Sequence, residues 1–155
     1  MGKKKFALVP VLDFIVHVNR SVKPSYPDWI KEIVYPELES AGPVEYDLQT
    51  LQQWLHDDQK GGVITGFILF NHLQRHNVLF SCLNLQDGLA IQQKGIAIFR
   101  KLFAGKVIFL WGSVVKNLND HMFVPYLYER DSTVELDWRR LNHYAPNDPV
   151  FHFSK

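Results

Sequence analysis

The chain has a single cysteine, Cys82, so no disulfide can close within it, and a lone thiol suits a reducing compartment. No apolar run approaches the ~20 residues that a membrane-spanning helix needs. The start, Lys3-Lys4-Lys5 and then Phe6 to Leu12, has the order of a signal peptide, but Asp13 interrupts it and no small-x-small cleavage site follows. No membrane partner and a cytoplasmic location are therefore expected. Repeats and low-complexity linkers are missing too, so residues 1–155 read as a single domain in which the basic residues 1–5 are disordered. Net charge is close to zero, at +1, and a pI near 7.9 falls short of the strongly basic domains that bind nucleic acid non-specifically. Gly61-Gly62-Val-Ile-Thr65-Gly66 lacks a P-loop ending, so its glycines read as a tight interhelical turn rather than a phosphate cradle.

What the chain does have is a charge split. From Tyr26 to Asp58 there are eight acids and one base, Lys31; from Gly88 to Asn119 there are five bases and no acid. Such asymmetry points to mutually attractive faces or to a basic surface for an anionic partner. Aromatic residues are also abundant, at 14%, which favours a rigid core.

The pattern along the chain predicts an α+β fold. Phe14 to Val18 is β-branched and short, an N-terminal strand. Pro27 suits the first turn of a helix to about Val34, which Pro36 ends. Asp47 is an N-cap for a second helix with Leu48, Leu51, Trp54 and Leu55 on one face. A third runs from Thr65 to His76, apolar nearly all round at Phe67 to Phe70 and so central. Asn84, with Asp87 in capping-box position, starts a fourth that pauses at Gly95 and continues through Ile96, Phe99 and Phe103 to Gly105, which makes four to five helices in all. Val107 to Trp111, Met122 to Tyr128 and Thr133 to Asp137 then form a C-terminal antiparallel meander of three to four strands, with Phe151 to Phe153 as the last. Pro125 lacks an amide hydrogen, so its part of the strand must lie at an edge or bulge.

Several stretches carry a likeness: Tyr26-Pro-Asp-Trp29, Pro36-Glu-Leu-Glu39, Glu45-Tyr-Asp-Leu48, Trp54-Leu-His-Asp57, Cys82-Leu-Asn-Leu85 and Val124-Pro-Tyr-Leu-Tyr128. Through these the chain resembles an uncharacterised group of small bacterial proteins with no assigned function. The likeness departs at Tyr35, where that group suggests His, and at Phe67 to Phe70, where it suggests a more polar stretch. It implies a bacterial origin, and no catalytic residue comes with it.

Candidate chemistry is sparse. His72 and His76 are four residues apart, the spacing at which a helix lets two imidazoles grip one metal ion, with His56 or Cys82 as a third ligand. Neither a cysteine pair nor an intervening Glu supports that reading, and two histidines near a helix C-terminus suit the dipole without any metal. His56-Asp57-Asp58 could hold a general base, but sequence neighbours point apart on a helix, and a salt bridge from these acids to the basic segment is simpler. Cys82 sits among apolar neighbours and reads as a structural thiol. Lys94, Arg100, Lys101, Lys106 and Lys116, interleaved with Phe99, Phe103, Phe109 and Trp111, make the strongest case for a nucleic-acid groove. The sequence thus favours a non-catalytic binding module that uses acidic and basic faces on a protein partner or a second copy of itself, with no cofactor. Nucleic-acid binding through residues 94–116 is the alternative, and a small enzyme or metal protein comes third.

Overall fold

The computed structural model describes residues 12–62, 64–145 and 148–154; the basic tail expected to be disordered lies outside them. Strand β1 (Ile15–His17) is the expected N-terminal strand. The segment after Pro27 is not the expected helix but strand β2 (Ile30–Ile33). Its β-branched residues favour extended backbone. Trp29 anchors it edge-on to Phe123 and Trp138, with ring centroids 5.0 and 5.4 Å away. Pro36 opens a 3-10 turn, Pro36–Ser40, and β3 (Glu45–Asp47) follows, paired antiparallel with β1.

The second expected helix is also absent. Asp47 does cap, but only a 3-10 turn, Leu48–Thr50, where its carboxylate accepts the Gln49 N–H at 2.8 Å. The chain then extends as β4 (Gln52–Trp54), held by ladder bonds to residues 150–152 near the far end of the chain. α1 (Asp57–Gly61) comes next. Asp57 and Asp58 therefore stand at a helix N-terminus, where the dipole welcomes them, and need no rescue by the basic segment.

β5 (Ile64–Thr65) leads into α2 (Gly66–Arg75), the expected third helix, capped by Thr65 Oγ1, which accepts the Ile68 N–H at 3.3 Å. It buries Leu69, Phe70 and Leu73 while Phe67 and Ile68 are exposed, so it lies on the core rather than within it. A Cβ at Gly66 would come within 2.8 Å of the Leu141 carbonyl oxygen, which is why glycine starts this helix. α3 (Leu85–Lys94) begins with the expected capping box: Asn84 Oδ1 accepts the Asp87 N–H at 3.1 Å, and Asp87 Oδ2 accepts the Asn84 N–H at 3.0 Å. Gly95, at φ +90°, makes the break before α4 (Ile96–Phe103).

The main sheet is antiparallel and contains β2 with β6 (Ile108–Phe109), β7 (Val115–Asn117), β8 (Met122–Arg130) and β9 (Thr133–Arg140). β9 pairs along one edge of β8 from Phe123–Arg140 to Arg130–Thr133. The other edge is shared end to end by β6 and β7, and β2 continues the sheet beyond β7. Pro125 explains why the Val107 to Trp111 run does not make one strand. Its carbonyl accepts the Leu110 N–H at 2.9 Å, but it has no N–H to return. The Leu110 carbonyl instead accepts the Ser113 N–H at 3.0 Å, and the chain winds into a 3-10 turn, Trp111–Ser113, before rejoining the ladder. Pro125 thus sits at the irregularity its chemistry demands.

β10 (Tyr144–Ala145) pairs with β5, and β11 (Val150–His152) pairs with β4. Two apolar clusters fill the interior. One, under α3 and α4, includes Ile91, Phe99, Phe103, Leu127 and Phe151; the other, under α2, includes Leu69, Phe70, Leu73, Trp111 and Leu141. The protein is α+β, with four α-helices and antiparallel sheets among the described residues. No helix among them is long and apolar enough to cross a membrane.

Candidate binding groove

β11 runs between β4 and the segment before α3: the Phe153 N–H donates to the Ser81 carbonyl at 2.8 Å, and Cys82 bridges His152. This brings residues from opposite ends of the chain to one surface. Trp54, at the end of β4, lies flat on His72 of α2, with ring centroids 4.9 Å apart and planes 19° from parallel. His72 in turn meets His56 edge-on at 4.8 Å and His76 at 4.2 Å. A tryptophan and three imidazoles thus form a continuous ring contact across β4, the start of α1 and the end of α2.

Each ring is placed by local chemistry. His56 caps α1: its Nδ1 accepts the Asp58 N–H at 3.0 Å, and its own N–H donates to Gln59 Oε1 at 3.0 Å. The neutral ring therefore carries its proton on Nε2. His72 and His76 share a face of α2 by helical periodicity. Burial holds the His72 imidazolium below its ordinary range, and the neighbouring His76, His56 and Arg75 push it the same way. His152, on β11, lines the same cavity, with its Nδ1 3.0 Å from the Phe153 carbonyl oxygen.

Cavities adjoin one another along this surface. A cavity of about 490 Å³ lies between Gln53, Trp54, Lys60 and Lys106, with Asp148 at its wall. Burial raises the Asp148 carboxyl above its usual range. Trp54 is shared with a second cavity of about 250 Å³, bounded by His72, Val78, Ser81 and His152. Ser81 is shared with a third of about 500 Å³, bounded by Gly42, Pro43, Phe80 and Phe153. Phe80 and Asn77 also wall a fourth, against Tyr35 and Gln74, whose side chains hydrogen-bond. Phe80 is 68% exposed, a large apolar side chain presented to solvent between two hollows.

The structure spreads the five bases singled out from the sequence. Lys94 pairs with Asp13 at 3.3 Å, and Arg100 grips Glu129 through Nε and Nη2 at 3.0 and 2.5 Å. Lys116 stands opposite Glu32 in the β2–β7 ladder, and Lys101 is exposed on α4. Lys106 alone of the five lines the groove, where it donates to Gln53 Oε1 at 2.9 Å. Acidic and basic segments meet directly at Glu32 and Lys116; Lys31 turns instead to Asp120, at 2.9 Å.

His72 and His76 do share a face, and His56 joins them as the sequence allowed, but their rings stack and abut rather than converge. Among the described residues no group of three or more His, Cys, Asp and Glu side chains is arranged to hold a metal ion. Cys82 is buried, its thiol pushed up to about 12 by burial, and its Sγ lies 3.4 Å from the Val78 carbonyl oxygen. Sequence reasoning named Trp54, with Trp29, Trp111 and Trp138, as a possible interface residue but favoured the core for them, and it missed Phe80, Ser81 and His152. Their signal was faint: an aromatic in a half-polar segment reads as core until its strand partner is known. The chain matches no family model, no curated protein and no solved structure.

Proposed function

We propose that the protein is a non-catalytic binding module that takes an extended segment of a protein partner along the groove from Lys106 past Trp54 to Phe80. The observation that carries this is the series of hollows that share Trp54, Ser81 and Phe80 as common walls. Aromatic anchors beside pockets are what peptide side chains use. The middle of the groove holds no lysine or arginine: Val78, Ser81, Val150, Pro43 and Phe153 line it with the imidazoles of His72 and His152. The groove's lysines, Lys60 and Lys106, stand together at one end. A nucleic-acid strand carries a phosphate on every nucleotide and needs bases all along its path. A peptide with apolar side chains and an acidic end matches this distribution better.

Panning a random linear-peptide library on the protein tests the reading. Peptides should be enriched, and Trp54→Ala or Phe80→Ala should each weaken a selected peptide by about 2 kcal/mol, some thirty-fold. Leu118→Ala, at an exposed turn, should leave it unchanged. Failure to enrich peptides, or binding indifferent to Trp54, would refute the proposal. Salt-steep binding of single-stranded oligonucleotides, lost with Lys106→Ala and with Arg100→Ala plus Lys101→Ala, would put the nucleic-acid reading in its place.

A further inference from the structure

We infer that the groove selects a partner segment bearing carboxylates and captures it by taking up protons on the His56–His72–His76 row. This rests on the groove reading and specifies both the ligand's chemistry and its regulation.

The charged groups around the row explain the need for a ligand anion. On α2 these are Arg75 and the two histidines; on α1 and its cap they are His56, Asp57, Asp58 and Lys60; on β11 there is His152. Asp57 faces Lys60 Nζ at 3.4 Å and Asp58 lies 3.7 Å from His56 Nδ1, so neither is in ion-pair contact with His72 or His76, and Asp57 favours a charge on His72 only weakly. A proton on His72 therefore places a positive charge between two imidazoles, with Arg75 on the same helix and, among the described residues, no carboxylate in ion-pair contact with His72 or His76. The unliganded row resists that charge, and the lowered proton affinity of His72 agrees. A carboxylate brought along the groove supplies the missing counter-charge where His72 lines the cavity. By reciprocal linkage, a ligand that favours the protonated row is bound more tightly as protons become available.

The test uses two fluorescein-labelled peptides of equal length, one alternating Leu with Glu and the other Leu with Gln, titrated with the whole protein at about pH 8 and about pH 6. The Glu peptide should bind about ten-fold more tightly at the lower pH, a change of about 1.4 kcal/mol, while the Gln peptide stays within about two-fold. Attraction of Glu to lysine and arginine side chains is common to both pH values, so it cancels from the comparison. His72→Gln with His76→Gln should abolish the extra pH response of the Glu peptide over the Gln peptide, whatever the affinity the variant retains for either, with an unchanged circular dichroism spectrum. If the Gln peptide binds and the Glu peptide shows no extra response to pH, the inference falls and the groove stands. A response that survives in the double variant also overturns it. If neither peptide binds at either pH, the groove reading falls as well.

Discussion

Replacing Asp87 by Ala should be among the most destabilising single changes available in this protein. Asp87 is 0% exposed, and its carboxylate serves three donors. Oδ1 accepts from Arg20 Nη2 at 2.8 Å and from the Tyr46 hydroxyl at 2.7 Å, and Oδ2 accepts the Asn84 N–H at 3.0 Å. The Arg20 side chain is itself only 8% exposed, so the substitution leaves a buried cation unpaired. Breaking a buried pair from one side costs about 3–5 kcal/mol, because the surviving charge stays desolvated. Half of the capping box disappears with it, worth roughly 1 kcal/mol more. Against a total stability of about 5–15 kcal/mol for a domain of this size, that is roughly a quarter or more. Urea unfolding followed by tryptophan fluorescence should show a midpoint shift of that size with little change in slope. The comparison variant is Lys31→Ala, whose pair with Asp120 is 47% and 65% exposed, so solvent screens it and its loss should be small beside that of Asp87. If Asp87→Ala cost no more than Lys31→Ala, the reasoning from the burial of the Arg20–Asp87 pair would be wrong.

Two other expectations test separate parts of the molecule. The β8–β9 turn holds Asp131 and Ser132 at φ 50° and 63°, so Asp131→Asn with Ser132→Gly should stabilise by about 1 kcal/mol and raise the melting temperature by about 2–4 °C; no rise would mean that the Ser132 contact with Arg100 outweighs the backbone strain. Because His72 is harder to protonate folded than unfolded, the unfolded chain binds the extra proton as pH drops, so stability is whole above about pH 6.5 and declines below it. His72→Gln should flatten that decline, and identical pH profiles for the two proteins would contradict the assignment.

The sequence by itself determined the elements whose signals are local. The Asn84–Asp87 capping box, the start of a helix at about Thr65 and the break at Gly95 rest on signals within a few residues, and each stands where the pattern put it. The same holds for the strands read as Met122 to Tyr128 and Thr133 to Asp137, which the structure lengthens to Arg130 and Arg140 and whose short turn enforces their pairing. Pro125 announced an interruption in a ladder, though not which neighbour would wind away from it.

Only the tertiary structure decided the segments whose hydrogen bonds are satisfied far along the chain. Leu48 to Leu55 has a helical spacing, yet its third to fifth residues from Thr50 onward extend because Val150 to His152 offer a ladder, about a hundred residues away. Ile30 to Ile33 extends because β7 does. The groove belongs to the same class. His72 and His76 could be paired from spacing alone, but the stacking of Trp54 on His72, and the arrival of His56 and His152 beside them, follow from strand pairing that no local pattern encodes. Local rules fix where a helix can start; which surfaces meet depends on the best burial available to the whole chain.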